Sequence, residues 1–260
     1  MFSQINKIIA FTYRNYLFAK RNIYAFVEVL FWPAVGVISI GLMSSFLELT
    51  SELKAFLLTG AIISGILQVT QLDVAYGFLY DVWSKSLRQT FVTPVNLFHY
   101  ILGSWLFGIA RGIVVLILLG LFAKMTFGFR FPDIKTIIIS ITGIFLSALV
   151  IGMAVQFFIL FFGQRIMEIV WMISTLIMLI CGIYYPVSML PDFIKIIAEF
   201  IPVTYFLEYF RISYGFIPVF KNILIKGFGL SFIYICILFI LLETALKRAK
   251  RTGMIIKLSE

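Results

Sequence analysis

Side chains able to do chemistry are sparse in this chain of 260 residues. It has one histidine, His99, two cysteines, Cys181 and Cys236, and 12 carboxylates scattered along its length. A metal site needs Cys, His or carboxylate ligands at short helical or loop spacing, and His99 has no such neighbour in sequence. Both cysteines sit inside apolar stretches, where a thiol packs as a small hydrophobe. The G-x-x-x-x-G-K-[ST] loop, whose backbone N–H groups would cradle nucleotide phosphates, is missing. So are the G-x-S-x-G nucleophile elbow and the His-Glu-x-x-His metal helix. A hydrolase would need clustered Ser, His and Asp, and one histidine leaves little to build with. The expectation is a chain without catalysis, cofactor or metal of its own.

The remaining polar candidates lie inside apolar runs: Glu28, Gln68, Gln71, Asp73, Arg111, Gln156 and Glu243. Charges inside a membrane are costly and usually mark function or a specific partner. Glu28 and Glu243 are expected near an interface, and Asp73 near enough to a helix end to snorkel. Arg111 lies deepest, so it should pair with a carboxylate or face a polar cavity. No run of acidic residues resembles a proton relay.

The elements that must position these groups follow from composition. The chain is 62% hydrophobic and only 13% charged, against roughly 45–50% and about 25% for soluble domains. Too little polar surface remains to cover such a fold in water, so lipid must be the solvent for most of it. About 20 apolar residues cross a bilayer. Runs of that order occupy 24–47, 56–79, 101–122, 134–162, 169–185 and 223–246. The predicted fold is an all-α integral membrane protein with six transmembrane helices and a single domain over 1–260. No internal repeat suggests an inverted-repeat carrier.

Three segments fall outside the spans. Residues 1–22 mix basic and apolar side chains, which suits an interface helix and not a cleaved signal peptide. Residues 80–100 are too long for a hairpin, and Trp83, Lys85, Leu87, Arg88 and Phe91 follow an amphipathic helical pattern ending before Pro94. Residues 186–222 are apolar and aromatic, but Pro186, Pro191, Pro202 and Pro218 rule out one continuous span. Short re-entrant helices in the outer leaflet are the expectation there.

Lys and Arg set the orientation. One side carries Lys7, Arg14, Lys20, Arg21, Lys85, Arg88, Arg165 and the 247–257 cluster. The other carries Lys54, Lys124, Arg130, Lys135, Lys195, Arg211, Lys221 and Lys226, spread over more residues. The positive-inside rule puts both termini in the cytoplasm, in a plasma (inner) membrane. The net charge of +9 then serves orientation and lipid contact, and no nucleic-acid partner is expected.

Three segments, in this order, resemble the permease family of type-2 ABC exporters. They are Phe31-Trp32-Pro33 followed by Gly41-Leu42; Asp81-Val82-Trp83-Ser84-Lys85-Ser86-Leu87 continuing through Thr93-Pro94-Val95 to Gly103; and Gly182-Ile183-Tyr184-Tyr185-Pro186-Val187-Ser188-Met189-Leu190-Pro191, with Ile201-Pro202-Val203-Thr204-Tyr205 and Glu208-Tyr209-Phe210-Arg211. The resemblance implies a dimer of six-span subunits, with an identical or closely similar second permease, bound to two cytoplasmic ABC ATPase subunits. ATP and Mg would reside on those partners.

In that family the run after the second span is the coupling helix, which implies an ATPase contact through Trp83, Lys85, Leu87, Arg88 and Phe91. The proline-broken segment resembles the outer closure of the path, so Tyr184, Tyr185, Pro186, Pro191 and Pro202, together with Arg111, are candidate pathway or gate residues. The lead Arg14-Asn15-Tyr16-Leu17 departs from that of polysaccharide exporters. The favoured substrate is therefore an amphipathic drug, lipid or lipid-linked molecule. The competing class is an ATP-independent secondary transporter or channel, which would place polar groups near the midplane of several spans.

Overall fold

Once water is excluded, a run of Ile, Leu, Phe and Val satisfies its backbone polar groups internally only as a helix. The computed structural model describes residues 4–21, 23–83, 85–86, 90, 95–162 and 169–251. Its helices are α1 Gln4–Arg21, α2 Ile23–Phe46, α3 Ser51–Trp83, α4 Leu97–Phe127, α5 Ile134–Phe162, α6 Ile169–Ile180, α7 Asp192–Glu199, α8 Pro202–Ile212 and α9 Ile223–Arg251. A short 3-10 turn, Val187–Met189, precedes α7. No strand occurs among the described residues.

Four of these helices are long and apolar enough to cross a membrane: α3 over Ser51–Gly77, α4, α5, and α9 over Ile223–Ala249. Among the described residues, four of the expected six are found at that length. Among the described residues of α2, Leu30–Phe46 forms a shorter apolar helix. The 12 described residues of α6 rise about 18 Å at 1.5 Å each. Helix α2 runs through Pro33 without ending.

Helix α3 is the centre of the bundle. Its spanning window is 83% buried, against 11% for α9, and it packs against α2, α4 and α5. Helix α9 lies on α5 and α8 and leaves Phe232, Ile233, Ile237 and Ile240 exposed, an apolar face suited to lipid. Two apolar clusters divide the bundle along its length. One joins Leu58, Ile62 and Ile66 to Ile144, Phe206 and Phe210. The other joins Phe11, Leu79, Tyr100 and Ile159 to Leu242, Ala245 and Ala249. Because α1 and the end of α9 share the second cluster, they lie at the same end of the bundle.

Helix ends follow local chemistry. At the start of α4 the Asn96 backbone N–H donates to His99 Nδ1 at 3.1 Å, and His99 Nε2 meets Gln4 Oε1 of α1. The lone histidine thus fastens a helix start. Helix α4 stops at Gly128, whose φ of 70° lies in the left-handed region that glycine adopts freely.

Just before α5, Asp133 accepts hydrogen bonds from the Thr136 hydroxyl at 2.6 Å and backbone N–H at 3.1 Å. These bonds, the hydroxyl first, hold the Asp133 carboxyl below its usual range. A depressed folded-state pKa gives stability that is present above the unfolded-state value and is lost as pH falls through the folded one. Asp133→Asn should flatten the acid limb of a Tm-against-pH curve and leave the neutral-pH fold intact. An acid limb identical to that of the unsubstituted protein would refute this assignment.

One expectation about a charge is corrected. Asp73 does not snorkel. Helix α3 continues to Trp83, so Asp73 lies ten residues inside its end, about 15 Å from it, and is 2% exposed. Arg211, counted among the outer topogenic charges, is buried as well. Of the expected coupling residues, Lys85 is an exposed turn residue with φ of 56°. The Trp83 backbone ends α3. The Trp83 side chain and residues Leu87, Arg88 and Phe91 lie outside the described residues.

Candidate functional site

Three polar constellations stand along the bundle. The first fixes the root of the 80–100 segment. Helix α1 buries Phe11, Asn15 and Ala19 at i, i+4, i+8 spacing, and Arg14 projects beside that stripe toward the end of α3. Arg14 Nη1 donates to Asp81 Oδ2 at 2.7 Å, and Nη2 to the Gly77 carbonyl at 3.1 Å. The Tyr100 hydroxyl of α4 reaches the same carbonyl and donates to Asp81 Oδ2 at 3.0 Å. Ser86 donates its hydroxyl to Asp81 Oδ1 and its backbone N–H to the Asp81 carbonyl, each at 2.9 Å. The Arg14 guanidinium also lies 4.7 Å from the Phe11 ring centre and 4.8 Å from that of Tyr100.

Asp81 thus gathers donors from α1, α4 and its own downstream turn. Its side chain is 2% exposed and that of Arg14 22%, so the pair is screened far less than a surface pair. Gly77 permits the approach: a Cβ there would lie 2.1 Å from Ser104 Oγ. That hydroxyl receives the Asn15 Nδ2 hydrogen bond at 2.9 Å.

The second constellation closes the opposite end. After α6 the chain turns at Gly182, with φ of 73°, and runs through Tyr184, Tyr185 and Pro186 into the 3-10 turn. Pro186 and Pro191 precede that turn and α7, and Pro202 opens α8, places where a missing N–H costs nothing. Arg211 of α8 donates Nη1 to the Gly182 carbonyl at 2.7 Å, and Nη2 to the carbonyls of Ile183 and Phe56. Its guanidinium lies 3.5 Å from the Phe56 ring centre. Glu208, one turn earlier, accepts the backbone N–H of Val219 at 3.3 Å and of Phe220 at 3.5 Å. The loop presses on α3 at Gly60, where a Cβ would lie 1.9 Å from the Ile183 oxygen. Tyr184 is partly exposed, and the Tyr185 hydroxyl bonds the Leu179 carbonyl.

The third lies between them. Arg111 of α4 forms an ion pair with Asp73 of α3 and places its guanidinium 5.4 Å from the Phe107 ring centre. Gln156 of α5 bonds the Val74 carbonyl, and Thr70 bonds that of Gly108 at 3.2 Å. The Gln71 amide and Asp73 Oδ2 are buried without a hydrogen-bond partner among the described residues. From Gly60 to Asp73 is roughly 20 Å of helix, so Arg111 stands apart from the tyrosine–proline turn.

Sequence reading did not single out Arg14, Asp81, Tyr100 or Arg211 as site residues. Asp81 is the lone carboxylate of the 80–100 segment, a usable signal. Arg211 carried none beyond the quoted Glu208–Arg211 string.

The family model described as "ABC-2 type transporter" matches residues 6–214. A protein of Archaeoglobus fulgidus described as "Uncharacterized protein" is 49% identical over 51 residues, which is 20% of this chain and 80% of that relative.

Proposed function

Because the chain belongs to the ABC-2 type transporter family, a multi-pass membrane permease, we propose that it is one half of an ATP-driven exporter whose coupling segment is held by the Arg14–Asp81–Tyr100 clamp. Six spans per subunit are part of this reading. The region of α2, with its 24 helical residues, and that of α6 join the four long helices. A second, identical copy completes the path, and two cytoplasmic ABC ATPase subunits drive it from the side of both termini in a plasma membrane. ATP and Mg belong to those subunits. The substrate is an amphipathic drug, lipid or lipid-linked molecule, moved outward.

The clamp carries the reading. A force applied to residues 84–96 by an ATPase reaches α3 through Asp81, and Asp81 is tied to α1 and α4 at once. The three helices therefore move together, as rigid-body switching between two states requires. The outer turn, held by Arg211, is the far end of the same lever, since it rests on α3 at Gly60.

Affinity purification of the tagged chain from mildly solubilised native membranes should bring down an ATP-binding subunit, and Trp83→Asp with Leu87→Asp should release it. Arg14→Ala should leave that subunit bound and lower substrate-stimulated ATP hydrolysis about tenfold, the equivalent of one charge-assisted hydrogen bond. A chain that purifies alone and moves solute by itself after reconstitution would overturn the reading in favour of a secondary carrier.

A further inference from the structure

At the end of the bundle opposite α1 and the close of α9, the α2–α3 and α4–α5 connections border an open cavity of about 490 Å³. That lies within the range of small-molecule pockets, roughly 300–1,000 Å³. Lys54 and Arg130 line it with Glu52, beside the half-buried Leu49 and Phe127, over a floor of Leu58 and Phe129. Leu58 is fully buried and Phe129 3% exposed, so the floor is fixed by the core. The Arg130 backbone is fixed too. Its carbonyl accepts the Tyr214 hydroxyl at 2.6 Å, and the Phe129 N–H bonds the Ala123 carbonyl at 3.2 Å.

Among the described residues neither Lys54 nor Arg130 forms an ion pair, although Glu52 shares the cavity. Two cations against one carboxylate leave a positive balance. The first turn of α3, which contributes Ser51 and Glu52, adds the partial positive charge of a helix N-terminus. Positive walls beside apolar side chains recognise a molecule with an anionic end and an apolar body.

We propose that this cavity binds an anionic headgroup carrying an apolar tail, with Lys54 and Arg130 as its anion ligands and the half-buried Leu49 and Phe127 as the tail's contact. The site goes beyond the exporter reading. Binding is measured on the permease without its ATPase, so failure of one does not entail failure of the other.

The test uses the full chain in phosphatidylcholine nanodiscs, titrated with dihexanoyl phosphatidate and, in parallel, with dihexanoylglycerol and inorganic phosphate. Saturable binding of the phosphatidate is expected, with little binding of the neutral glyceride and weaker binding of phosphate alone. Lys54→Gln with Arg130→Gln should weaken phosphatidate binding about tenfold or more, and Glu52→Gln should strengthen it. An unchanged Tm of both variants would exclude misfolding as the cause. Equal binding by the double variant, equal binding of the glyceride, or inorganic phosphate binding as tightly as the phosphatidate would each overturn the proposal. A phosphatidate released during ATP turnover by the assembled complex identifies the ligand as cargo at its exit. One retained through turnover identifies a resident outer-leaflet lipid. Both results uphold the site.

Discussion

Arg211→Ala should be the most damaging single substitution at the outer end, lowering stability by about 3 kcal/mol or more and abolishing transport. The guanidinium is 3% exposed and serves carbonyls of Gly182, Ile183 and Phe56, groups from two segments far apart in sequence. Removing it takes the guanidinium donor from the Gly182 and Ile183 acceptors, each worth roughly 1–3 kcal/mol when unsatisfied, whereas the Phe56 carbonyl lies inside α3 and retains its helical bond. It also removes the cation over Phe56, worth up to about 2 kcal/mol when desolvated. Partial relaxation of the turn keeps the total below the sum. Arg211→Lys should not restore the loss, because one ammonium lacks the planar fork that reaches both Gly182 and Ile183. Thermal unfolding in nanodiscs, with hydrogen exchange over 182–190, reads the result. A Tm within error of the unsubstituted protein, with unaltered exchange, would show that the turn holds without Arg211.

That residue also shows where sequence reading stops. Apolar runs announced α3, α4, α5 and α9, because hydropathy and helix length are one constraint in lipid. The prolines announced the break-up of 186–222: the 3-10 turn and α7 start directly after Pro186 and Pro191, and α8 starts on Pro202. What failed was the depth of polar groups. The burial of Arg211, counted among the outer charges, was not legible because nothing local shows a turn folding back to offer it carbonyls. Asp73 was placed near a helix end because the apolar run stops at 79, whereas the helix continues to Trp83. The clamp was half legible: Asp81 stands alone in its segment, but its partners Arg14 and Tyr100 come from opposite directions along the chain. Close helix approach at Gly77, a tertiary fact, brings them to one carboxylate.

The pair between Asp73 and Arg111 should show the opposite pattern to Arg211, a large loss on single substitution that a second substitution repairs. Arg111→Leu leaves Asp73, whose side chain is 1% exposed, as an uncompensated charge inside the bundle. The expected cost is about 3–5 kcal/mol, with a matching loss of folded protein in membranes. Asp73→Asn should cost less, since the Arg111 side chain retains 12% exposure and can seek polar surroundings. With both replaced, as Asp73→Leu and Arg111→Met, stability should return to within about 1 kcal/mol of the unsubstituted protein. The reason lies in the geometry: Asp73 Oδ2 and the Gln71 amide have no partner among the described residues, so the ion pair does not fully offset the desolvation of its carboxylate. An apolar pair of similar volume carries no such cost. Transport by the double variant then decides the role of the charges. Retained transport identifies the pair as a fastener between α3 and α4, the outcome expected from its closed geometry. A stable double variant that folds, binds its ATPase and moves nothing would instead place Arg111 on the substrate path.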